Sequence, residues 1–141
     1  MTEVREHCEL GSSVAEVWGL VGDFRGFVEM LVAPRGGTVR TDGDGVGMTR
    51  TVIVGHDRMV ERLEELDETN WRVRYSMLET GPLRIVDYQA VIALTALGAN
   101  RSAVAWVGSF APDGTSEREA DVAVRSIYIE GLTLMRARFG P

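Results

Sequence analysis

The chain has 141 residues, 45% of them hydrophobic and 26% charged, which matches one globular domain, residues 1–141, able to bury most of its apolar surface. A net charge of -6 with no run of basic residues excludes a nucleic-acid partner, whose phosphates call for clustered Lys and Arg. No uncharged apolar run approaches the roughly 20 residues that span a bilayer, Cys8 has no second cysteine to pair with, and the start lacks a signal-peptide pattern, so a cytoplasmic protein with no membrane partner is expected.

Residues 2–10 end at Gly11, which suits an edge strand running into a turn. Ser13-Val14-Ala15-Glu16 is a capping box that opens a short helix with Val14, Val17, Trp18 and Val21 on one face. Asp23 caps a second helix, whose apolar positions are Phe24, Phe27, Met30 and Leu31, until Pro34 and Gly36-Gly37 stop it.

From Thr38 to Phe110 the texture changes to strands separated by turn signals. The spacing predicts strands over 38–41, 46–54, 58–67, 71–78, 83–95 and 101–110, and tight turns between consecutive strands mean an antiparallel meander. Trp71, Val73, Tyr75 and Met77 alternate cleanly with Arg72, Arg74 and Ser76, so one face is apolar and the other wet. Tyr88, Ala90, Ile92 and Leu94 continue that pattern more weakly, and Val104, Trp106, Gly108 and Phe110 share one parity. The Gly43-x-Gly45-x-Gly47 run lies between two strands and carries Asp42 and Asp44, so it reads as a hairpin loop and not a phosphate cradle.

Ser116 to Phe139 has apolar residues at three- and four-residue intervals, including Val124, Ile127, Tyr128, Leu132 and Met135, and Ser116-Glu117-Arg118-Glu119 caps its start. It is one long amphipathic helix. Gly131 within it is either a site of close packing or a notch that leaves room for a ligand. The order β-α-α-β-β-β-β-β-β-α describes an α+β fold, a strongly curved antiparallel sheet with its apolar face against the long C-terminal helix.

Ser13-Val14-Ala15-Glu16-Val17-Trp18, Asp23-Phe24, Gly47 with Arg50, Glu61-Arg62-Leu63-Glu64 with Asp67, Tyr75, Tyr88, Trp106 and Phe110 together resemble the START-like (Bet v 1-like, SRPBCC) superfamily, in its bacterial polyketide cyclase/dehydrase-like branch. The resemblance covers nearly the whole chain and implies a helix-grip fold with a cavity for a hydrophobic small molecule. One departure is the stretch Gly26-Phe27-Val28-Glu29-Met30-Leu31, where the family often carries Trp-x-Pro. In such a fold the cavity would be lined by Phe24, Phe27 and Met30, by Val73, Met77, Ala90, Ile92, Trp106, Gly108 and Phe110 beside Tyr75 and Tyr88, and by Ile127, Gly131, Leu134 and Met135. Aromatic rings and thioethers suit flat or irregular apolar ligands, and the same residues equally make a filled core.

Polar groups at inward parity are the more selective signal. Arg50 alternates with Met48, Val52 and Val54, and a turn at Gly55-His56-Asp57 brings it near Glu61 or Arg62. An Arg50–Glu61 pair with Tyr75 and Tyr88 as donors would orient a polar ligand group or serve proton transfer and oxyanion stabilisation; on the outer face it would be a solvated pair. The parity of 60–66 leaves both open. His7 and His56 have no ligand-spaced companions and no nucleophile elbow exists, so no metal and no cofactor are expected, and Cys8 reads as a small core residue. The residues are thus compatible with a small-molecule binder or a cofactor-free cyclase or dehydratase, as a monomer or homodimer, more than with an interaction module lacking a cavity.

Overall fold

Period-two alternation is kept wherever a strand crosses the sheet undisturbed, and it breaks where the sheet bends. The computed structural model describes residues 1–141. Its elements are β1 (Thr2–Leu10), α1 (Val14–Val21), α2 (Phe24–Val32), a 3-10 turn (Ala33–Arg35), β2 (Thr38–Asp42), β3 (Thr49–Val54), β4 (Asp57–Asp67), β5 (Arg72–Glu79), β6 (Ile85–Gly98), β7 (Arg101–Pro112) and α3 (Glu117–Phe139). The seven strands form one antiparallel sheet in the order β1-β7-β6-β5-β4-β3-β2, so β1 and β2 are the edges. The expected α+β helix-grip arrangement is present, with the apolar face of the sheet turned toward the long α3.

Two of the four register shifts in the sheet change which residues of their own strand face inward. In β4, Leu63 pairs with Tyr75 but Glu65 pairs with Arg74, so Glu64 is an extra residue and the inward set changes from Glu61 and Leu63 to Leu66. In β6, Val86 pairs with Ala111 and Gln89 with Ser109; the added residue sits beside Asp87, whose φ is 57°, and Ile85 and Tyr88 both end up buried. The strand predicted from residue 46 begins at Thr49, because Gly45 and Gly47 take left-handed φ values of 65° and 95°. The chain rejoins β4 through Gly47 N to Leu63 O at 2.8 Å.

Side-chain caps place the helices as the sequence predicts: Ser13, Asp23 and Ser116 accept from the amides of Glu16, Gly26 and Glu119 at 3.2, 2.9 and 3.1 Å. The return half of the last box is not made, since the Glu119 carboxylate accepts the Thr115 hydroxyl instead. Ala120, Val124, Tyr128, Leu132 and Met135 bury the inner face of α3, each large side chain contributing about 1.5–3 kcal/mol. Arg125 ties the helix to β1 through Glu6 at 3.1 Å and the Arg5 carbonyl at 3.2 Å, while Ser12 donates to the Phe139 carbonyl at 2.7 Å. No helix is long and apolar enough to cross a membrane.

Candidate functional site

Where α3 leaves the sheet toward α2 and β3–β5, a void of about 180 Å³ remains. Its walls are Phe27, Val28, Leu31 and Val32 of α2, Val52 and Val54 of β3, Met59 of β4, Met77 of β5, Trp106 of β7, and Val124 and Ile127 of α3. Exposed Arg35, Asp57 and Pro82 also border it and mark the mouth, where Arg35 Nη2 meets Glu130 Oε2 at 2.6 Å. The volume is close to the roughly 150 Å³ cavity that holds a benzene and below the roughly 300 Å³ of common drug sites. One or two rings is the scale it accepts.

Four polar side chains expected from parity reach this wall: Arg50, Glu61, Tyr75 and Tyr88. Arg50 and Glu61 are direct cross-strand partners, with Nε 2.9 Å from Oε1 and side chains only 3% and 9% exposed. The pair therefore lies inside the sheet and not on its outer face. Arg50 Nη1 donates to the Phe24 carbonyl at 2.6 Å, and its guanidinium carbon lies 3.8 Å from the Phe24 ring centroid and 4.8 Å from that of Tyr75. Arg50 Nη2 and Glu61 Oε2 make no hydrogen bond to the protein, and since no fully buried side-chain nitrogen or oxygen lacks a partner, both atoms keep an accessible side at the wall of the void.

The tyrosines form a second polar feature. Trp106 Nε1 donates to Tyr75 Oη at 3.1 Å, Tyr75 and Tyr88 hydroxyls lie 3.5 Å apart, and the Tyr88 hydroxyl is bonded to that of Tyr128. Burial, with the nearby Glu61 charge and only a partial offset from Arg50, holds Tyr75 well above the usual phenol range. Burial likewise raises Tyr88 and Tyr128, so all three are protonated donors at neutral pH and none is a base.

Of the apolar residues expected at a cavity, Phe27, Met77, Trp106 and Ile127 border the void. The other ten do not. Phe24 is covered by the Arg50 guanidinium, and Val73, Ala90, Ile92, Phe110 and Met135 are sealed in the core where α1 and α3 rest on the sheet. Met30 and Leu134 are half-buried away from the wall. Gly108 is occupied by a neighbour, since a Cβ there would stand 2.1 Å from Tyr128 Oη; Gly131 is packed against Trp106, with a Cβ 2.7 Å from Cζ3. Gly131 is therefore a place of close packing, not an open notch. Tyr128, which sequence reasoning counted only among the apolar positions of α3, stacks on Trp106 with centroids 4.2 Å apart. No three His, Cys, Asp or Glu side chains converge, and burial pushes the half-buried Cys8 thiol up.

The family described as Polyketide cyclase / dehydrase and lipid transport matches residues 1–140. No curated protein matches the chain. Among solved structures, the protein XoxI from Bacillus cereus is 25% identical, covers 99% of this chain and 96% of its own, and superposes with a TM-score of 0.87. Zhui aromatase/cyclase from a Streptomyces species is 17% identical over 94% of this chain and 87% of its own, TM-score 0.73. Norcoclaurine synthase from Thalictrum flavum is 15% identical over 94% and 92%, TM-score 0.67. At those identities the two enzymes share the fold alone.

Proposed function

The chain belongs to the polyketide cyclase / dehydrase and lipid transport family, and from that premise we propose that it binds a neutral, oxygen-bearing hydrophobic molecule of one or two rings in the void between sheet and α3. The observation that carries this reading is the buried Arg50–Glu61 pair with Nη2 and Oε2 left unpartnered. The two charges cancel, so a charged ligand would bring an uncompensated charge into a desolvated site, whereas a neutral hydroxyl can accept from Nη2 and donate to Oε2. Apolar walls supply affinity and the pair supplies orientation.

A second reading is cyclase or dehydratase chemistry on a keto or aromatic substrate in the same void. The observation that favours it is that Glu61 borders the same void as the protonated Tyr75 and Tyr88. Glu61 Oε2 would take a proton from the carbon next to a ketone, and a tyrosine hydroxyl would hold the resulting enolate oxygen.

Native mass spectrometry of freshly purified protein tests the binding reading first. A stoichiometric compound released on denaturation supports it and gives the ligand's chemical class. With 2-naphthol as probe, Arg50→Met is expected to weaken binding about ten- to hundredfold, as for one hydrogen bond to a charged group. No released compound together with equal naphthol affinity in wild type and variant would overturn it. Turnover lost with binding kept, in Tyr88→Phe, would favour the enzyme.

A further inference from the structure

The tyrosine chain contains more donors than it can use internally. Trp106 N–H and the hydroxyls of Tyr75, Tyr88 and Tyr128 are four donors, and they are joined by at most three hydrogen bonds, the Tyr75–Tyr88 contact being long at 3.5 Å. An indole can only donate, so its proton is committed to Tyr75 Oη. One hydroxyl proton is left over, and its position follows from burial. If Tyr88 donated to Tyr128, the surplus proton would sit on Tyr128, which is 1% exposed, has no other partner and does not border the void. A buried donor without an acceptor is costly, so Tyr128 donates to Tyr88, and the surplus passes to Tyr75 or Tyr88, both on the void's wall. Donation from Tyr128 also occupies a lone pair of Tyr88 Oη, which makes that oxygen a poor acceptor and its own O–H a better donor.

We propose that Tyr128 is a positioning residue that sets ligand specificity from outside the cavity, by fixing the direction of the hydroxyl chain so that the wall presents an O–H and selects ligands with an acceptor oxygen. Gly108 is part of the device. Its missing side chain is what lets the Tyr128 hydroxyl approach the sheet and reach Tyr88. All three hydroxyls stay protonated at neutral pH because burial raises them, which keeps the proton count intact.

The inference rests on the binding reading above, and calorimetry with three molecules of one shape separates the two. Indanone only accepts, indole only donates, and indane does neither. Because Arg50 Nη2 can donate and Glu61 Oε2 can accept in the same void, the three are compared in an Arg50→Met, Glu61→Leu background that leaves only the hydroxyl chain; there indanone is expected to bind about three- to tenfold more tightly than indane, with indole no better than indane. Tyr128→Phe is expected to shrink the indanone preference and strengthen indole, because Tyr88 Oη is then free to accept, while indane is unchanged. A general packing defect would instead weaken all three alike, and that result overturns the proposal. Should Tyr128→Phe fail to fold, carbonyl-labelled indanone in the Arg50→Met, Glu61→Leu background decides: its carbon-13 resonance moves downfield on accepting the O–H, and an unshifted resonance overturns the assignment. Binding of none of the three overturns the ligand-binding reading itself, and the specificity proposal falls with it.

Discussion

Arg50 and Glu61 stand directly opposite one another on β3 and β4, 2.9 Å apart and out of water. Their attraction has to offset the desolvation of two charges, and the Phe24 carbonyl and two aromatic faces around the guanidinium help it do so. Removing one partner leaves the other charge buried and alone. Glu61→Ala is expected to cost about 3–5 kcal/mol in urea unfolding, whereas Arg50→Met with Glu61→Leu together is expected to approach wild-type stability and lose selectivity for hydroxylated ligands. A single substitution that costs less than about 1 kcal/mol would mean that water reaches the pair.

Gly108 and Tyr128 are coupled by a steric contact that a double-mutant cycle can measure. Gly108→Ala puts a methyl 2.1 Å from Tyr128 Oη, a distance no real contact reaches, and Gly108 lies inside the paired β6–β7 ladder where the backbone has little freedom to retreat. The clash is with the hydroxyl, and Cζ lies farther off at 3.2 Å. Gly108→Ala is therefore expected to be less damaging in a Tyr128→Phe background than in wild type, with a coupling of about 1 kcal/mol or more. Additive effects would show that the Tyr128 ring can swing clear.

The element order was legible from the turn signals, and so was the parity that Arg50 shares with Val52, because β3 is regular and Arg50 and Val52 alternate in burial with Thr49, Thr51 and Ile53; which side of the sheet that parity faces stays open in the alternation alone. The facing of Glu61 was not legible either, because the extra residue at Glu64 switches β4 parity midway, and a strand read as one register mixes charge with apolar residues. Parity also names a face without saying which part of it the helices cover. Val73, Ile92 and Phe110 share a face with Tyr75 and Trp106, yet they are sealed while the void lies nearer α2. Tyr128 was missed for a different reason: helical periodicity reports that a tyrosine is buried and is silent about where its hydroxyl goes.

Acid should weaken α3 in a predictable direction, through the Asp121–Arg125 pair one helical turn apart. The Arg125 guanidinium, bonded to Asp121 at 3.0 and 3.1 Å, holds that carboxyl below its ordinary 3.8. The folded value is thus lower than the unfolded one, so the stabilisation is fully present above about pH 4 and is lost as pH falls through the folded value. Arg125 would keep only Glu6 and the Arg5 carbonyl as partners. Asp121→Asn is expected to lower stability near neutral pH and to converge on wild type below about pH 3. A gap that stays constant with pH would assign the effect to helix propensity instead.

At Gly131 two effects of similar size oppose each other, and packing decides the sign. Alanine is favoured over glycine in a helix interior by about 1 kcal/mol, but its Cβ would lie 2.7 Å from Trp106 Cζ3 and 2.8 Å from Leu31 Cδ2. Leu31 is half-buried and can turn aside. Trp106 cannot easily do so: Tyr128 stacks on one face, Phe27 meets it edge-on at 5.4 Å, and its N–H is held by Tyr75. Overpacking against such a ring costs about 1–3 kcal/mol, so Gly131→Ala is expected to lower Tm by about 2–5 °C. Because Trp106 also borders the void, the shift would narrow it, and affinity for a two-ring probe should fall in the same variant. A Tm that rises would show that the indole yields and that helix propensity wins.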